Sequence, residues 1–138
     1  MEKINEHIFR GTKRYMVNKS LDAGMLRSKA IAQNIANVDV EGYQRKEVKF
    51  EEELRKAMKI KTEGAVTHDK HIEISKEAKI KRVKPELVQP YDPSNPSGQN
   101  NVDIDIENAK MAENQILYNY GIKFAGFTKL KAAIQGKM

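Results

Sequence analysis

Residues 103–135 read DIDIENAKMAENQILYNYGIKFAGFTKLKAAIQ, and this stretch decides the fold. Ile106, Ala109, Ala112, Ile116, Tyr120, Phe124, Phe127, Leu130 and Ile134 recur at steps of mostly three or four. That period keeps them on one side of an α-helix. Asp103, Asp105 and Glu107 stand at its start and Lys129, Lys131 and Lys137 at its end, each sign matched to the helix dipole. The pattern predicts a helix from about 104 to 135, roughly 45 Å long. Ile116 beside Leu117, and Phe124 with Phe127 and Leu130, give it two adjacent apolar tracks. One track can face the chain's own N-terminal helix and the other a neighbour.

The other end of the chain answers it. Leu21, Met25, Ser28, Ala32 and Ile35 recur at steps of 4, 3, 4 and 3, the spacing of a coiled-coil seam. The pattern predicts a helix over 4–36, with Gly11 a candidate break and Gly24 a local weakness of about 1 kcal/mol relative to alanine. It should stop near Asn37, where Asn37-Val38-Asp39-Val40-Glu41-Gly42-Tyr43 offers a C-terminal cap and a glycine free to take positive φ. Neither helix can bury its stripe alone. The economical arrangement is a mainly α chain whose long N- and C-terminal helices pair, antiparallel, as a coiled-coil-like hairpin.

The rest becomes a small irregular or β insertion in the middle. Residues 48–59 suit a short helix with Phe50, Leu54, Ala57 and Met58 on one side. From 60 to 84, Ile72 and Ile74 alternate with polar residues and Ile80 and Val83 nearly do, which predicts short strands or irregular chain. All four prolines lie between 85 and 96, so 85–103 reads as an extended linker. The expected organisation is 1–44 helix and Gly-Tyr turn, 45–84 insertion, 85–103 linker and 104–138 helix, with the terminal helices forming one axial core.

Composition agrees with an elongated form. The chain has 138 residues, 39% of them hydrophobic, below the roughly 45–50% of an average globular domain. With no cysteine there is no disulfide, thiolate metal site or cysteine nucleophile. No window approaches the roughly 18 apolar residues of a membrane-spanning helix. The N-terminus lacks an apolar run of signal-peptide type, which predicts a chain made in the cytoplasm without a cleaved signal. The net charge of +6 is concentrated in residues 45–84, but lysine and arginine there are interleaved with glutamate. A solvated mixed-charge face explains this better than a nucleic-acid surface, which remains an alternative. His68 and His71 flank Asp69 but have no third ligand, so an incidental surface pair is the better reading than a metal site. No phosphate loop, nucleophile motif or clustered carboxylates occur, and no catalytic, cofactor-binding or metal residue is assigned.

Two motifs resemble a known family. Leu21–Arg27 followed by Ile31-Ala32-Gln33-Asn34-Ile35-Ala36-Asn37 and the turn to Gly42-Tyr43-Gln44-Arg45 is similar to the N-terminal signature of the flagellar axial rod, hook and filament-junction proteins. Pro96-Ser97-Gly98-Gln99-Asn100-Asn101-Val102-Asp103 with Ala109–Tyr118, and the segment Thr67–Ile72, resemble the proximal rod branch of that family. The family commonly has Thr-Pro where this chain has Val40-Glu41. The resemblance implies a structural, non-enzymatic subunit of the basal-body rod that crosses the periplasm. It would be exported by the flagellar type III apparatus, pass on torque and line the export channel. Its partners would be other rod proteins, copies of itself, and the membrane ring, export gate and adaptor at the rod base, with no small-molecule substrate, cofactor or nucleic acid. Another rod subunit of the family is the near alternative.

An assembly interface is then expected at Leu21, Met25, Asn34, Ile35, Asn37, Gly42, Tyr43, Asn101, Asp103, Asn114, Ile116, Leu117, Tyr120, Phe124, Phe127 and Leu130. The apolar members would bury surface against neighbours. Asn34 and Asn37 have two readings. Asn37 caps the helix and Asn34 is exposed, or both amides bond to a neighbouring subunit and fix its register.

Overall fold

The computed structural model describes residues 2–59, 76–90 and 99–134. The chain is mainly helical, with one long helix at each end and a small two-stranded sheet between them. Helix α1 spans Glu2–Ala36 without a break at Gly11. Strand β1 is Glu47–Lys49, helix α2 Glu51–Lys59, helix α3 Lys76–Arg82, strand β2 Glu86–Val88 and helix α4 Ile104–Ile134.

Helices α1 and α4 pack against each other. Asn34 meets Glu107, Gly24 lies against Asn114 and Tyr118, and Leu21 lies against Gly121, so the two run antiparallel. The pairing expected from the stripes is present, but its composition is not. On the α1 side Gly24 is buried and Ser28 half-buried. A Cβ on Gly24 would stand 3.0 Å from the Tyr118 ring, and one on Gly121 would stand 2.9 Å from Leu21. The two glycines cost helix propensity and let the backbones come close.

Three of the middle expectations change. The strands are 47–49 and 86–88, paired antiparallel with Val48 opposite Leu87, so β2 forms inside the expected linker. Residues 76–82 are helical, not extended. Lys76-Glu77-Ala78-Lys79-Ile80-Lys81-Arg82 is built of good helix formers, and the step from Ile80 to Val83 is three, which suits a helix better than alternation. The alternation at Ile72 and Ile74, and His68 with His71, lie outside the described residues. Helix α2 begins at Glu51, since Val48 and Lys49 belong to β1.

A small apolar core holds this middle part to α1. Phe50, Ala57 and Ile80 are buried, and α3 packs on both α1 and α2. Arg27 on α1 pairs with Glu51 at the start of α2. Three glutamates open α2 and lysines close it, as its dipole favours.

Candidate assembly site

The chain after α1 is bound back onto the head of α4 by asparagines. Asn34, in the last turn of α1, has no exposed surface. Its Nδ2 donates to the Lys46 carbonyl and to Glu107 Oε2, both at 2.9 Å. Its Oδ1 accepts from the Lys46 amide at 2.9 Å and the Tyr43 hydroxyl at 3.1 Å. An amide has two donors and two acceptor lone pairs, and all four are used inside the chain. The expectation of an exposed Asn34 is corrected. Asn37 does cap α1: its backbone N–H bonds to the Asn34 carbonyl, and its Nδ2 donates to the Gln33 carbonyl at 2.6 Å.

Gly42 has φ 74°, the left-handed conformation that an L side chain resists, and it turns the chain toward Tyr43. Asn100 Nδ2 then bridges the carbonyls of Asn37, Val38 and Val40, at 2.6 to 2.9 Å. Asn101 Oδ1 accepts the Arg45 amide at 2.7 Å. Asp103 Oδ1 accepts the amides of Asp105 and Ile106, an N-cap for α4. Each polar residue of Asn100-Asn101-Val102-Asp103 therefore has a backbone to hold.

Glu107 is 1% exposed, one turn into α4. Its Oε1 lies 3.3 Å from Lys110 Nζ and 3.9 Å from Arg45 NH1. Glu47 pairs with the same two cations. Two carboxylates and two cations make a formally neutral group at the junction of α1, β1 and α4. Burial first, and the nearby Glu107 carboxylate second, raise the Tyr43 pKa above its ordinary value. Both disfavour the phenolate, so Tyr43 stays a hydrogen-bond donor to Asn34.

Asn114, two turns further, is 2% exposed. Its Nδ2 donates to the Gly24 carbonyl at 3.0 Å and Ser28 Oγ at 2.8 Å, and its Oδ1 lies 3.4 Å from Arg27 NH1. The face of α4 that meets α1 is thus Glu107, Asn114, Tyr118 and Gly121, largely polar or small. At about 100° per residue, the row Ile116, Tyr120, Phe124 and Phe127 lies roughly 140° away around the helix. These side chains, with Leu117, Leu130 and Ile134, are exposed; Tyr120 is 68% and Phe127 65% accessible. The α4 stripe read from the sequence therefore faces away from α1, correcting the expectation that one of its tracks covers the N-terminal helix.

The other expected interface residues divide in the same way. Met25 is exposed, as are Gly42 and Asp103, while Leu21, Ile35, Asn37, Tyr43 and Asn101 are half-buried within the chain. Glu107, Arg45, Asn100 and the seam glycines carry the junction and were not among the expected interface residues, while Ser28, read as a seam residue, does meet Asn114 of α4. A signal for Glu107 existed: it stands one heptad before Asn114, which itself stands one heptad before Gly121. Among the described residues no three metal-ligating side chains cluster, and no helix is long and apolar enough to cross a membrane.

No protein-family model matches the chain. It is 34% identical over 106 residues to a flagellar basal body rod protein FlgB of Borreliella burgdorferi, covering 74% of this chain and 78% of that one. With the protein of the same name from Borrelia hermsii it shares 34% over 108 residues, or 75% and 80% of the two chains. With that from Bacillus subtilis it shares 30% over 131 residues, or 94% and 97%. The chain, with its two end helices and its asparagine-bound turn, belongs to the FlgB family of flagellar basal body rod proteins.

Proposed function

We propose that this chain is a building block of the proximal flagellar rod and that the outward face of α4 is where it meets neighbouring rod subunits, copies of itself included. The observation that carries the reading is the row Ile116, Tyr120, Phe124, Phe127 and Leu130, exposed on the side of α4 away from α1, with Leu117 exposed on its flank. Contiguous exposed apolar surface marks an interaction site on a soluble chain. Each of these side chains is about half exposed, so covering them stabilises by on the order of 1 kcal/mol apiece. Met25 on α1 offers a further exposed contact.

Head-to-tail contacts of this kind propagate instead of closing, as a tubular shaft requires. The mechanism is mechanical. Torque would pass through repeated helix-to-helix burial, and the interior of the tube would line the export channel. Export by the flagellar apparatus without a cleaved signal, and neighbours at the membrane ring and export gate, belong to the same reading. No catalytic step is part of it.

The test is Leu117→Asp and Phe124→Asp, each in a strain lacking the native gene. Both put a charge where a neighbour would bury it, at a cost of several kcal/mol. The expected result is export of the variant, absence from the rod and loss of swimming. Normal rods in both strains would reject the α4 face as the assembly surface.

A further inference from the structure

Few large apolar contacts choose how far along each other α1 and α4 pair. On α1 the residues that meet α4 include Leu21, Gly24 and Ser28, with Tyr118 over Gly24 and Leu21 against Gly121. Most of the large apolar residues of α4 are on its other side. What is buried between the helices and particular in position is polar: Asn34, Glu107 and Asn114.

We infer that Asn34, Glu107 and Asn114 are a register lock, which selects one antiparallel alignment of the terminal helices. Glu107 and Asn114 are one heptad apart on α4. Glu107 meets the Asn34 amide, and Asn114 meets the Gly24 carbonyl and Ser28. A slide of one heptad would part both sets at once, leaving a buried carboxylate away from Asn34 and Arg45 and an amide away from its carbonyl. A buried amide at a coiled-coil seam position selects register in the same way, at some cost in stability. An apolar seam would pay no such penalty for sliding. The lock also decides which stretch of the outward α4 row stands beside Met25, and so the surface a neighbour reads. The inference rests on the seam itself and stands whether or not the rod reading does.

The chain has no cysteine, so two can be placed without competition. Lys29 and Lys123 are exposed, one on each helix and offset along the pair. Spin labels on Lys29→Cys and Lys123→Cys report their separation by pulsed electron resonance on the full chain, and a one-heptad slide displaces one label by about 10 Å along the axis. The parent should give one narrow distance. The variant N34L/E107L/N114L should keep its helix content, though it melts lower because the Lys46 backbone loses Asn34, and should show a second separation, its preference for the native one falling by at least about tenfold. Glu107→Gln, which keeps an acceptor for Asn34, should keep the single distance. One unshifted distance in the leucine variant would overturn the inference. So would loss of its helix content, since the polar groups would then be holding the helices together and not choosing their alignment. Several distances in the parent would overturn it as well.

Discussion

Replacing Asn34 with alanine removes four hydrogen bonds with one substitution. The Lys46 amide and carbonyl each lose a partner at 2.9 Å, Glu107 Oε2 loses a donor at 2.9 Å, and the Tyr43 hydroxyl loses an acceptor at 3.1 Å. Tyr43 is half-buried and can turn to water. Glu107 keeps Lys110 and Arg45 near its other oxygen. Taking about 1–2 kcal/mol for each of the two Lys46 groups and for Glu107, the expected loss is about 3–6 kcal/mol. That is a large share of the roughly 5–15 kcal/mol that holds a typical domain. The assay is urea unfolding of the full chain followed by circular dichroism, with hydrogen exchange at the Lys46 amide. Exchange there should rise by orders of magnitude, because the amide has no other partner among the described residues. Asn34→Asp has the same shape but sets a carboxylate oxygen against Glu107 Oε2. It should cost more than alanine at neutral pH, and the gap should narrow as acid protonates one of the two. A loss under about 0.5 kcal/mol, the size of an ordinary surface substitution, would refute the claim that Asn34 binds the turn to α4.

Further outcomes follow from the glycines and from Tyr43. Gly126 has open space where a Cβ would go, so Gly126→Ala should stabilise by up to about 1 kcal/mol; Gly121→Leu, driven into Leu21, should destabilise by about 1–3 kcal/mol in the same melts. Gly42→Ala at φ 74° should cost on the order of 1–2 kcal/mol, with Gly42→Asn milder. The Tyr43 pKa is raised in the folded chain, so the folded state holds its proton more tightly than the unfolded state does. Its contribution is complete below the ordinary tyrosine value near 10 and declines as pH rises through the folded value. Tyr43→Phe should therefore lose less stability than the parent between neutral pH and pH about 11, read from paired urea melts.

The two long helices were legible because a period of 3.6 is written in their apolar residues. Which face meets which was not. Ile116, Tyr120, Phe124 and Phe127 say that something apolar covers one side of α4, and periodicity alone cannot say whether that is α1 or another chain. The face that does meet α1 was hidden by its chemistry. Glu107 and Asn114 are residue types that usually stay in water, and Gly24 was counted as a weakness where it gives close approach to Tyr118. The turn was easier, since Asn37 and Gly42 are residue types with few other uses at a helix end. Asn100 was within reach too, in a polar run where every residue has a backbone to hold, but the run read as linker because its partners are 60 residues away. Helix α3 was missed for want of length: seven residues are too few to show a period.

The central claim is that α4 carries an apolar face reserved for other subunits, and sedimentation of the purified full chain tests it most directly. The chain is run alone and with the other rod proteins of the same bacterium, helix content is followed in parallel, and Phe124→Asp serves as the control. The account predicts that mass and helix content rise together only with those partners, and that Phe124→Asp abolishes the rise while the Lys46 amide stays protected from exchange. A parent chain that melts cooperatively by itself and sediments unchanged beside its partners would contradict it.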